Sequence, residues 1–422
     1  MTTRRAFLKA GGLTLFGIGI GGVPSFMARA AESSKIISPY KKNKILVCLF
    51  QRGAMDGLMA VTPFTDNYLK AARPNLFMSA AKTGMHTPLI DLDGRFGLHP
   101  SLHAFESLFR ENRLAIVHGI GSPNNTRSHF DAQDYMESGT PFDKNTSSGW
   151  LNRAVGLLGH DATPFRAVSL TSSMPRSFYG DNAVLAFGDL KDFVVQLKGN
   201  PMGASMAAQS FEELYDQTSS SLLKETGKES FDALKMLQKT DVRKYTPAND
   251  AIYPASALGN ALKQVAQLIK MDVGLEIAFT ESGGWDTHFN QGTHNGTFAR
   301  NASDLSNSIL AFWKDVEVYQ DDIIVMTMTE FGRTVKQNGS SGTDHGRASC
   351  SFILGNGING GKVHGIVKPL SPENLEDKRD LAVTTDFRCL FSEVARKHLR
   401  IKNTTGLFPD WKGNSGGLTI LD

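Results

Sequence analysis

Six short apolar runs, separated by amphipathic helix patterns, restrict the fold of this chain more than any other feature. None of the runs alternates polar with apolar residues, which is typical of strands covered on both faces. Strands that alternate with helices predict an α/β fold, a three-layer sandwich around a central, mostly parallel sheet. The predicted strands are 44–50, 114–118, 166–170, 274–280, 322–328 and 351–355, and the helix patterns lie at 101–112, 258–272, 298–319 and 386–399.

The first 30 residues have the pattern of an export signal and are set apart from the fold. Arg4 and Arg5 precede a short, glycine-rich apolar run that ends in the small residues around Arg29. A charged start, a short apolar middle and a small-x-small end predict a cleaved signal peptide, and the paired arginines indicate the Tat route. A membrane anchor is the alternative, but the run is short for a span. We therefore expect transient contact with the Tat translocase and a periplasmic or secreted protein with no stable membrane anchor.

Residues 31–422 are long enough to bury a large core as one large domain or two, and we interpret them as one α/β domain. Residues 200–250 are polar and helix-prone, which fits either a helical insertion or a plain surface excursion equally well. The net charge of +3 comes with no basic tract, so nucleic acid is not an expected partner. The cysteines, Cys48, Cys350 and Cys389, leave open one disulfide or buried free thiols.

Polar clusters follow or precede five of the predicted strands. Ligands of open parallel sheets bind at the carboxyl ends of the strands, so these clusters are expected to meet at one edge. Any one cluster alone is weak evidence, whereas together they predict a single site. The polar residues are Asp56, Ser128, His129, Asp131, Asp134, Glu281, Asp286, His288, Glu330, Arg333, Asp344, His345 and Arg347.

Asp, Glu and His are ligands that Zn²⁺, Mg²⁺, Mn²⁺ or Ca²⁺ accept, so the site is predicted to hold a divalent metal of unknown identity. Each residue also has an ordinary structural explanation. Asp286 would cap a turn, Glu330 and Arg333 would form a surface ion pair, and Asp344 would form an Asx turn. The predicted ligands are Asp56, Asp286, His288, Glu330, Asp344 and His345.

Six segments of the chain resemble the signature segments of a bacterial family, domain of unknown function 1501, whose members are typically exported by Tat. They are LFQRGAMDGL, GLHPSL, SHFDAQDYMESG, GGWDTH, TEFGRT and GTDHGRAS. This family is grouped with the alkaline phosphatase and sulfatase superfamily. The resemblance therefore implies an alkaline-phosphatase-like α/β domain.

The superfamily also implies roles for individual residues. Asp56 is similar in place to an early metal-binding Asp, and Ser128 best matches the nucleophile, with Thr126 second. The segment from Glu281 to Asp286 resembles a further metal-binding stretch, but the His expected four residues later is Asn290 here. The Asp-His pair that the superfamily places after the next strand is Glu330-Phe331. The late superfamily His matches His345, and the pattern as a whole implies an altered or one-metal site.

These observations predict an exported, metal-dependent hydrolase acting on a phosphate or sulfate ester of a small molecule or polymer. Metal would polarise the ester, Ser128 would attack or position a water, and Arg333 or Arg347 would hold the oxyanion. The alternative is a non-catalytic binding or scaffold protein with a degenerate site on the same fold, which the lost imidazole favours. A redox protein is the weakest hypothesis, because no cysteine pair, haem motif or flavin fingerprint is present.

Overall fold

The computed structural model describes residues 43–82, 87–159, 163–190, 244–413 and 418–421. The predicted export signal, residues 1–30, lies outside the described residues, and so does most of the predicted insertion at 200–250. All six predicted strands are present. The strands are β1 Ile45–Gln51, β2 Val61–Pro63, β3 Ile90–Asp91, β4 Phe96–Leu98, β5 Leu114–Gly121, β6 Ala167–Ser169, β7 Leu185–Ala186, β8 Ile277–Ser282, β9 Ile323–Met328, β10 Ser349–Leu354, β11 Lys362–His364 and β12 Thr385–Asp386.

Each of the four predicted helix patterns also contains a helix. The α-helices are α1 Gly57–Ala60, α2 Asn67–Ala72, α3 Ala104–Arg110, α4 His129–Ser138, α5 Trp150–Leu157, α6 Ala257–Lys270, α7 Thr297–Asp315 and α8 Phe387–Glu393. Short 3-10 turns lie at Pro100–Leu102, Arg176–Phe178, Glu317–Asp322 and Pro372–Asn374, and a π turn at Val394–His398 continues α8. Among these described residues, no helix combines the length and the apolar character that crossing a membrane requires.

The central sheet has the strand order β11-β5-β10-β9-β1-β8-β6-β7, with β12 also paired to β5. Its pairings are parallel except for those of β10, which runs antiparallel to both β9 and β5. The predicted, mostly parallel sheet is therefore confirmed, and the antiparallel strand β10 makes it a mixed sheet. A second, three-stranded sheet has the order β2-β4-β3.

Both faces of the central sheet are buried, as the continuous apolar runs predicted. In β1, Val47 and Leu49 pack into one core, whereas Leu46, Cys48 and Phe50 pack into the other. Helices α3, α6 and α7 contribute to the first core, and helices α5 and α8 contribute to the second. This arrangement is the predicted three-layer sandwich. The three cysteines are all buried free thiols, so no disulfide links them.

The direction of β10 decides which loops share an edge of the sheet. Strands β1, β5, β8 and β9 run in the same direction, so the segments that follow them leave from one edge. Because β10 runs the opposite way, the segment before it reaches that same edge. Backbone hydrogen bonds join this segment to the loop after β9. Among them are those from the Gly332 amide to the Arg347 carbonyl and from the Gly346 amide to the Gly332 carbonyl, each 2.8 Å long.

Candidate metal centre

Three imidazole rings and one carboxylate converge at this edge of the sheet. The Nε2 atom of His345 lies 3.0 Å from that of His129 and 2.8 Å from that of His288. Asp286 closes the group, with Oδ1 at 3.0 Å from His288 Nε2 and Oδ2 at 3.5 Å from His129 Nε2. One ligand atom from each of His129, Asp286 and His345 lies within 4.8 Å of the other two, so these residues form a candidate metal-binding triad.

The second nitrogen of each ring is fixed by an acceptor. His129 Nδ1 lies 2.8 Å from Glu330 Oε1, and His288 Nδ1 lies 3.0 Å from Asp344 Oδ1. His345 Nδ1 lies 2.8 Å from the backbone carbonyl of Arg127. An ionised carboxylate or a carbonyl can only accept a hydrogen bond, so each Nδ1 must be the donor. The tautomer of each neutral ring is thereby set, and the lone pair belongs to Nε2.

The local charges support this assignment of protons. Burial alone would raise the pKa of Glu330, but hydrogen bonds from His129 and Gln133 outweigh it and hold the pKa below its usual value. The hydrogen bond from Asn338, with a further one from His288, lowers the pKa of Asp344. Both carboxylates are therefore ionised at neutral pH, as a group that accepts from an Nδ1–H must be.

The two histidines of the triad, His129 and His345, differ in basicity. The hydrogen bond to Glu330 raises the pKa of His129, whereas burial lowers the pKa of His345. Burial alone would raise the pKa of Asp286, but the hydrogen bond and charge of Arg333 outweigh it and leave that pKa lowered. When the rings are neutral, the centre combines an ionised carboxylate with Nε2 lone pairs that face one another.

Lone pairs held about 3 Å apart repel unless a cation lies between them, either a proton or a metal ion. Ligand atoms on a tetrahedral zinc ion, with bonds of about 2.0–2.1 Å, lie roughly 3.3 Å apart. The five separations that involve His345 or Asp286 run from 2.8 to 3.5 Å, close to that value. Metal-ligating histidines usually donate their other N–H to a carboxylate or carbonyl, as all three do here. The donor set therefore fits a divalent metal.

Arg333, predicted to hold an oxyanion, instead holds Asp286. Its Nη1 atom donates to Asp286 Oδ1 at 2.7 Å, its other nitrogens bond to Thr343, and its side chain is fully buried. Thr343 in turn donates to Gln291 Oε1 at 2.7 Å. This buried chain of hydrogen bonds fixes Asp286 from below the centre and leaves Arg333 without access to a bound ligand.

The structure does not bring Asp56 to the cluster of histidines. Its carboxylate accepts two hydrogen bonds from Arg73, at 2.7 and 3.1 Å, and one from Gln291 at 2.7 Å. Asp56 and Arg73 are both 1% exposed. Because these three donors occupy both oxygens, Asp56 belongs to the buried network beneath the centre and has no free oxygen for an ion.

Two further predicted residues also have other contacts. Arg347, 3% exposed, bonds to Glu376 and to the carbonyls of Asn124 and Ser122, so it fastens two loops together. Ser128 is exposed at the start of α4, directly before His129. Its Oγ accepts from the Asp131 amide at 3.5 Å, a distance so long that the cap is weak.

The structure therefore divides the six predicted ligands by position. Asp286, His288 and His345 lie in the centre, whereas Glu330 and Asp344 stand behind two of the rings, and Asp56 is elsewhere. His129 was not among the predicted ligands. Its signal was the start of helix α4 directly after Ser128, in a polar cluster that follows β5. The side chains of His129, Asp286, His288 and His345 are 22–43% exposed, so the centre opens to solvent.

Residues 43–406 match a family model described as a protein of unknown function (DUF1501). None of the proteins of curated function that were compared has significant sequence similarity to the chain. Similar solved structures include the C-terminal periplasmic domain of EcEptC from Escherichia coli in complex with Zn. It has 10% identity and a TM-score of 0.35, and the match covers 75% of this chain and 73% of the other.

Two more solved structures are similar at the same level. A protein in the alkaline phosphatase superfamily from Vibrio parahaemolyticus has 11% identity and a TM-score of 0.35, with 85% of this chain and 75% of the other covered. Alkaline phosphatase from the Antarctic bacterium TAB5 has 13% identity and a TM-score of 0.30, with 75% and 93% covered. At these scores the likeness has no bearing on the chemistry of the site.

Proposed function

The chain belongs to the DUF1501 family, whose function is unknown, and we propose that this member is a metal-dependent hydrolase acting on a phosphate or sulfate ester. One observation supports the proposal above all others. Three histidines have their Nδ1 protons committed to fixed acceptors, and their Nε2 atoms lie beside the carboxylate of Asp286 in a solvent-accessible centre.

We assign the metal to His129, Asp286, His288 and His345. Three imidazoles with one carboxylate suit zinc or a similar transition ion, whereas Mg²⁺ and Ca²⁺ prefer sites made of oxygen ligands. A divalent ion held there would polarise an ester oxygen and lower the pKa of water. Glu330 and Asp344 keep the rings of His129 and His288 in the tautomer that presents Nε2, and Arg333 holds Asp286 in place.

Ser128 is the proposed source of the attacking oxygen. It is exposed, it directly precedes His129, and its 3.5 Å cap bond leaves the hydroxyl available for another partner. It also stands at the amino end of α4, where the helix dipole favours a negatively charged centre. The ester class itself comes from the resemblance to the alkaline phosphatase and sulfatase superfamily.

Metal analysis of the purified full chain, with the Asp286→Asn variant beside it, tests the centre. We expect bound metal in the wild type and at least about a 100-fold weaker affinity in the variant, since a ligand is lost. The matched control is Asp131→Asn on α4, whose carboxylate pairs with Lys144 on the surface. Normal metal content in Asp286→Asn would remove the centre from the proposal.

Hydrolysis is tested with a panel of phosphate and sulfate monoesters and diesters. We expect turnover by the metal-loaded wild type, loss of turnover in chelator, and recovery when zinc is returned. Ser128→Ala should retain metal and lose at least about 100-fold in turnover, because removal of a serine nucleophile costs more than that in serine hydrolases. Retained turnover in that variant would assign the attack to water instead.

A non-catalytic binding protein is the second candidate, and one observation favours it. Both arginines predicted to hold an oxyanion are buried and bonded to protein groups, so neither reaches a ligand. Metal-loaded protein that binds ester analogues but turns over no member of the panel would establish this candidate over the hydrolase.

We also propose that the protein is exported by the Tat route and acts in the periplasm or outside the cell. The support is the paired Arg4 and Arg5 before a short apolar run. Replacing both arginines with lysine should leave the protein in the cytoplasm, as cell fractionation would show. Normal export of that variant would remove the Tat route.

A further inference from the structure

Two partly exposed arginines, Arg127 and Arg379, contact His345, one of the proposed ligands. The carbonyl of Arg127 accepts the Nδ1–H of His345 at 2.8 Å, and Arg379 Nη2 donates to the backbone carbonyl of His345, also at 2.8 Å. Their side chains are 26% and 44% exposed, whereas those of Arg333 and Arg347 are 0% and 3% exposed. The two arginines beside His345 are therefore accessible to a molecule that approaches from solvent.

One buried carboxylate holds both guanidinium groups. Asp380, which is 0% exposed, accepts from Arg127 Nε at 2.9 Å on Oδ2 and from Arg379 Nε at 3.2 Å on Oδ1. Arg127 has a further carboxylate partner in Asp377, which is 57% exposed. Arg379 has no other carboxylate partner among the described residues, so its positive charge is the less completely offset of the two.

The backbone around Arg379 is fixed at the same edge of the sheet as the metal centre. The Val335 amide donates to the Arg379 carbonyl at 3.0 Å, and the Ala348 amide donates to the Leu381 carbonyl at 3.1 Å. Val335 lies in the loop after β9, and Ala348 lies in the segment before β10 that also contains His345. The loop that carries Arg379 is thus attached to both segments that meet at this edge.

Arg379 keeps a donor free within reach of the centre. Its Nη1 atom has no hydrogen-bond partner in the described part of the chain. Covalent dimensions place the carbonyl oxygen and Nε2 of one histidine at most about 7 Å apart, so Arg379 Nη2 lies within about 10 Å of His345 Nε2. A tetrahedral oxyanion on a metal ion, with a ligand bond of about 2.0 Å and hydrogen bonds of about 2.8 Å, covers most of that distance.

We propose that Arg379 binds the free oxygens of the phosphate or sulfate group while that group lies on the metal. This inference rests on the proposed hydrolase function and assigns to its site the cation that Arg333 and Arg347 do not supply. The planar guanidinium matches the oxygens of a tetrahedral oxyanion, and its hydrogen bonds to them are charge-assisted. Asp380 keeps the guanidinium in place, so little order has to be gained when the anion binds.

Calorimetric titration of the zinc-loaded full chain with methylphosphonate tests the inference without any need for turnover. We expect Arg379→Gln to bind methylphosphonate about 10–100-fold more weakly than the wild type, since a hydrogen bond to a charged group is lost. Arg379→Lys retains the charge but not the planar pair of donors, so its affinity should fall between the two. Both variants should bind zinc as tightly as the wild type, because Arg379 contacts only the backbone of His345.

The matched control is Arg113→Gln, which removes the same charge from a different place. Arg113 is 41% exposed, pairs with Glu111 at 3.4 Å and directly precedes β5, at the opposite edge of the sheet. This variant should bind methylphosphonate as the wild type does.

Three results would overturn the inference and leave the hydrolase proposal intact. One is equal affinity of Arg379→Gln and the wild type for methylphosphonate, and another is equal weakening in Arg379→Gln and Arg113→Gln. The third is weaker zinc binding in Arg379→Gln with unchanged affinity of its zinc-loaded form for methylphosphonate, which would assign Arg379 to the support of His345. Absence of methylphosphonate binding by the zinc-loaded wild type would overturn the inference together with the phosphate-ester class.

Discussion

At the scale of single residues, the centre depends on carboxylates that do not themselves face the proposed ion. Glu330 is fully buried and accepts hydrogen bonds from His129 Nδ1, Gln133 Nε2 and the Gly53 amide. Such a carboxylate fixes the ring and raises the electron density on Nε2, which makes the ring a better donor to a metal. The buried negative charge is therefore expected to act through His129.

Replacing Glu330 with Gln tests this role, because the amide oxygen can still accept from Nδ1 but carries no charge. We expect zinc affinity to fall by about 10–100-fold, as for other outer-shell partners of metal-bound histidines. Titration against a competing chelator would measure it. Glu281→Gln is the matched control, since Glu281 lies near the end of β8, Ile277–Ser282, and pairs with Arg52. Equal affinities in Glu330→Gln and the wild type would show that the charge has no effect on the metal.

At the scale of elements, the ends of the strands bring the loops of the centre close together. The segment after β1 passes directly under the loop that carries Asp286. Gly53 has a φ of +111°, and a Cβ at this position would lie 2.6 Å from the Asp286 backbone nitrogen. Glycine is needed here for two reasons, the backbone conformation and the close approach of another chain segment.

We expect Gly53→Ala to displace Asp286, lower the free energy of unfolding by roughly 1–3 kcal/mol and weaken metal binding. The matched control is Gly283→Ala in the Asp286 loop itself, where the added Cβ meets no atom within 4 Å. Urea unfolding and metal content of both variants would test the comparison. Wild-type metal content in Gly53→Ala would show that the geometry of the centre does not depend on the close approach of Gly53 to the Asp286 backbone.

At the scale of the whole molecule, stability should depend on pH because several histidines lie inside the fold. Burial lowers the pKa values of His99, His118 and His398 from 6.5 to about 4. Each ring also makes a hydrogen bond to a backbone carbonyl, of Thr293, Val61 and Ile45 respectively. These rings stay neutral in the folded protein at pH values where the unfolded chain takes up protons.

The sign of the effect follows from this difference. The unfolded chain binds protons as the pH falls through 6.5, whereas the folded protein binds them only near pH 4. The contribution of these three rings to the free energy of unfolding is therefore fully present above pH 6.5. It is lost as the pH falls towards 4, by up to about 3 kcal/mol for each ring. Urea unfolding of the metal-free protein at several pH values would measure this loss.

His398→Gln should lose less stability on acidification, because Gln can donate to the Ile45 carbonyl and does not titrate. His103→Gln is the control, since His103 is exposed and should leave the pH dependence as it is in the wild type. If the free energy of unfolding fell with pH equally in His398→Gln and the wild type between pH 6.5 and 4, the buried ring of His398 would not contribute to the loss of stability in acid.

The sequence by itself determined the parts of this protein that depend on local patterns. Apolar runs and helical spacings predicted six strands and four helices because burial on one or two faces leaves a period in the sequence. Polar residues after the strands predicted one edge of the sheet as the site, because parallel strands end together. The antiparallel direction of β10 has no such local signal, since an apolar run is the same in either direction.

Only the tertiary structure decided the part that each polar residue takes. A carboxylate's role depends on which donors reach it, and those donors come from distant segments. Asp56 is occupied by Arg73 and by Gln291, which lies 235 residues later in the chain. Glu330 is 201 residues from His129 in the chain, yet its oxygen lies 2.8 Å from the ring nitrogen. Side-chain direction and competition for hydrogen bonds are settled by packing, so residue types and spacing predicted the proposed ligands Asp286, His288 and His345 but not His129, nor the different places of Asp56, Glu330 and Asp344.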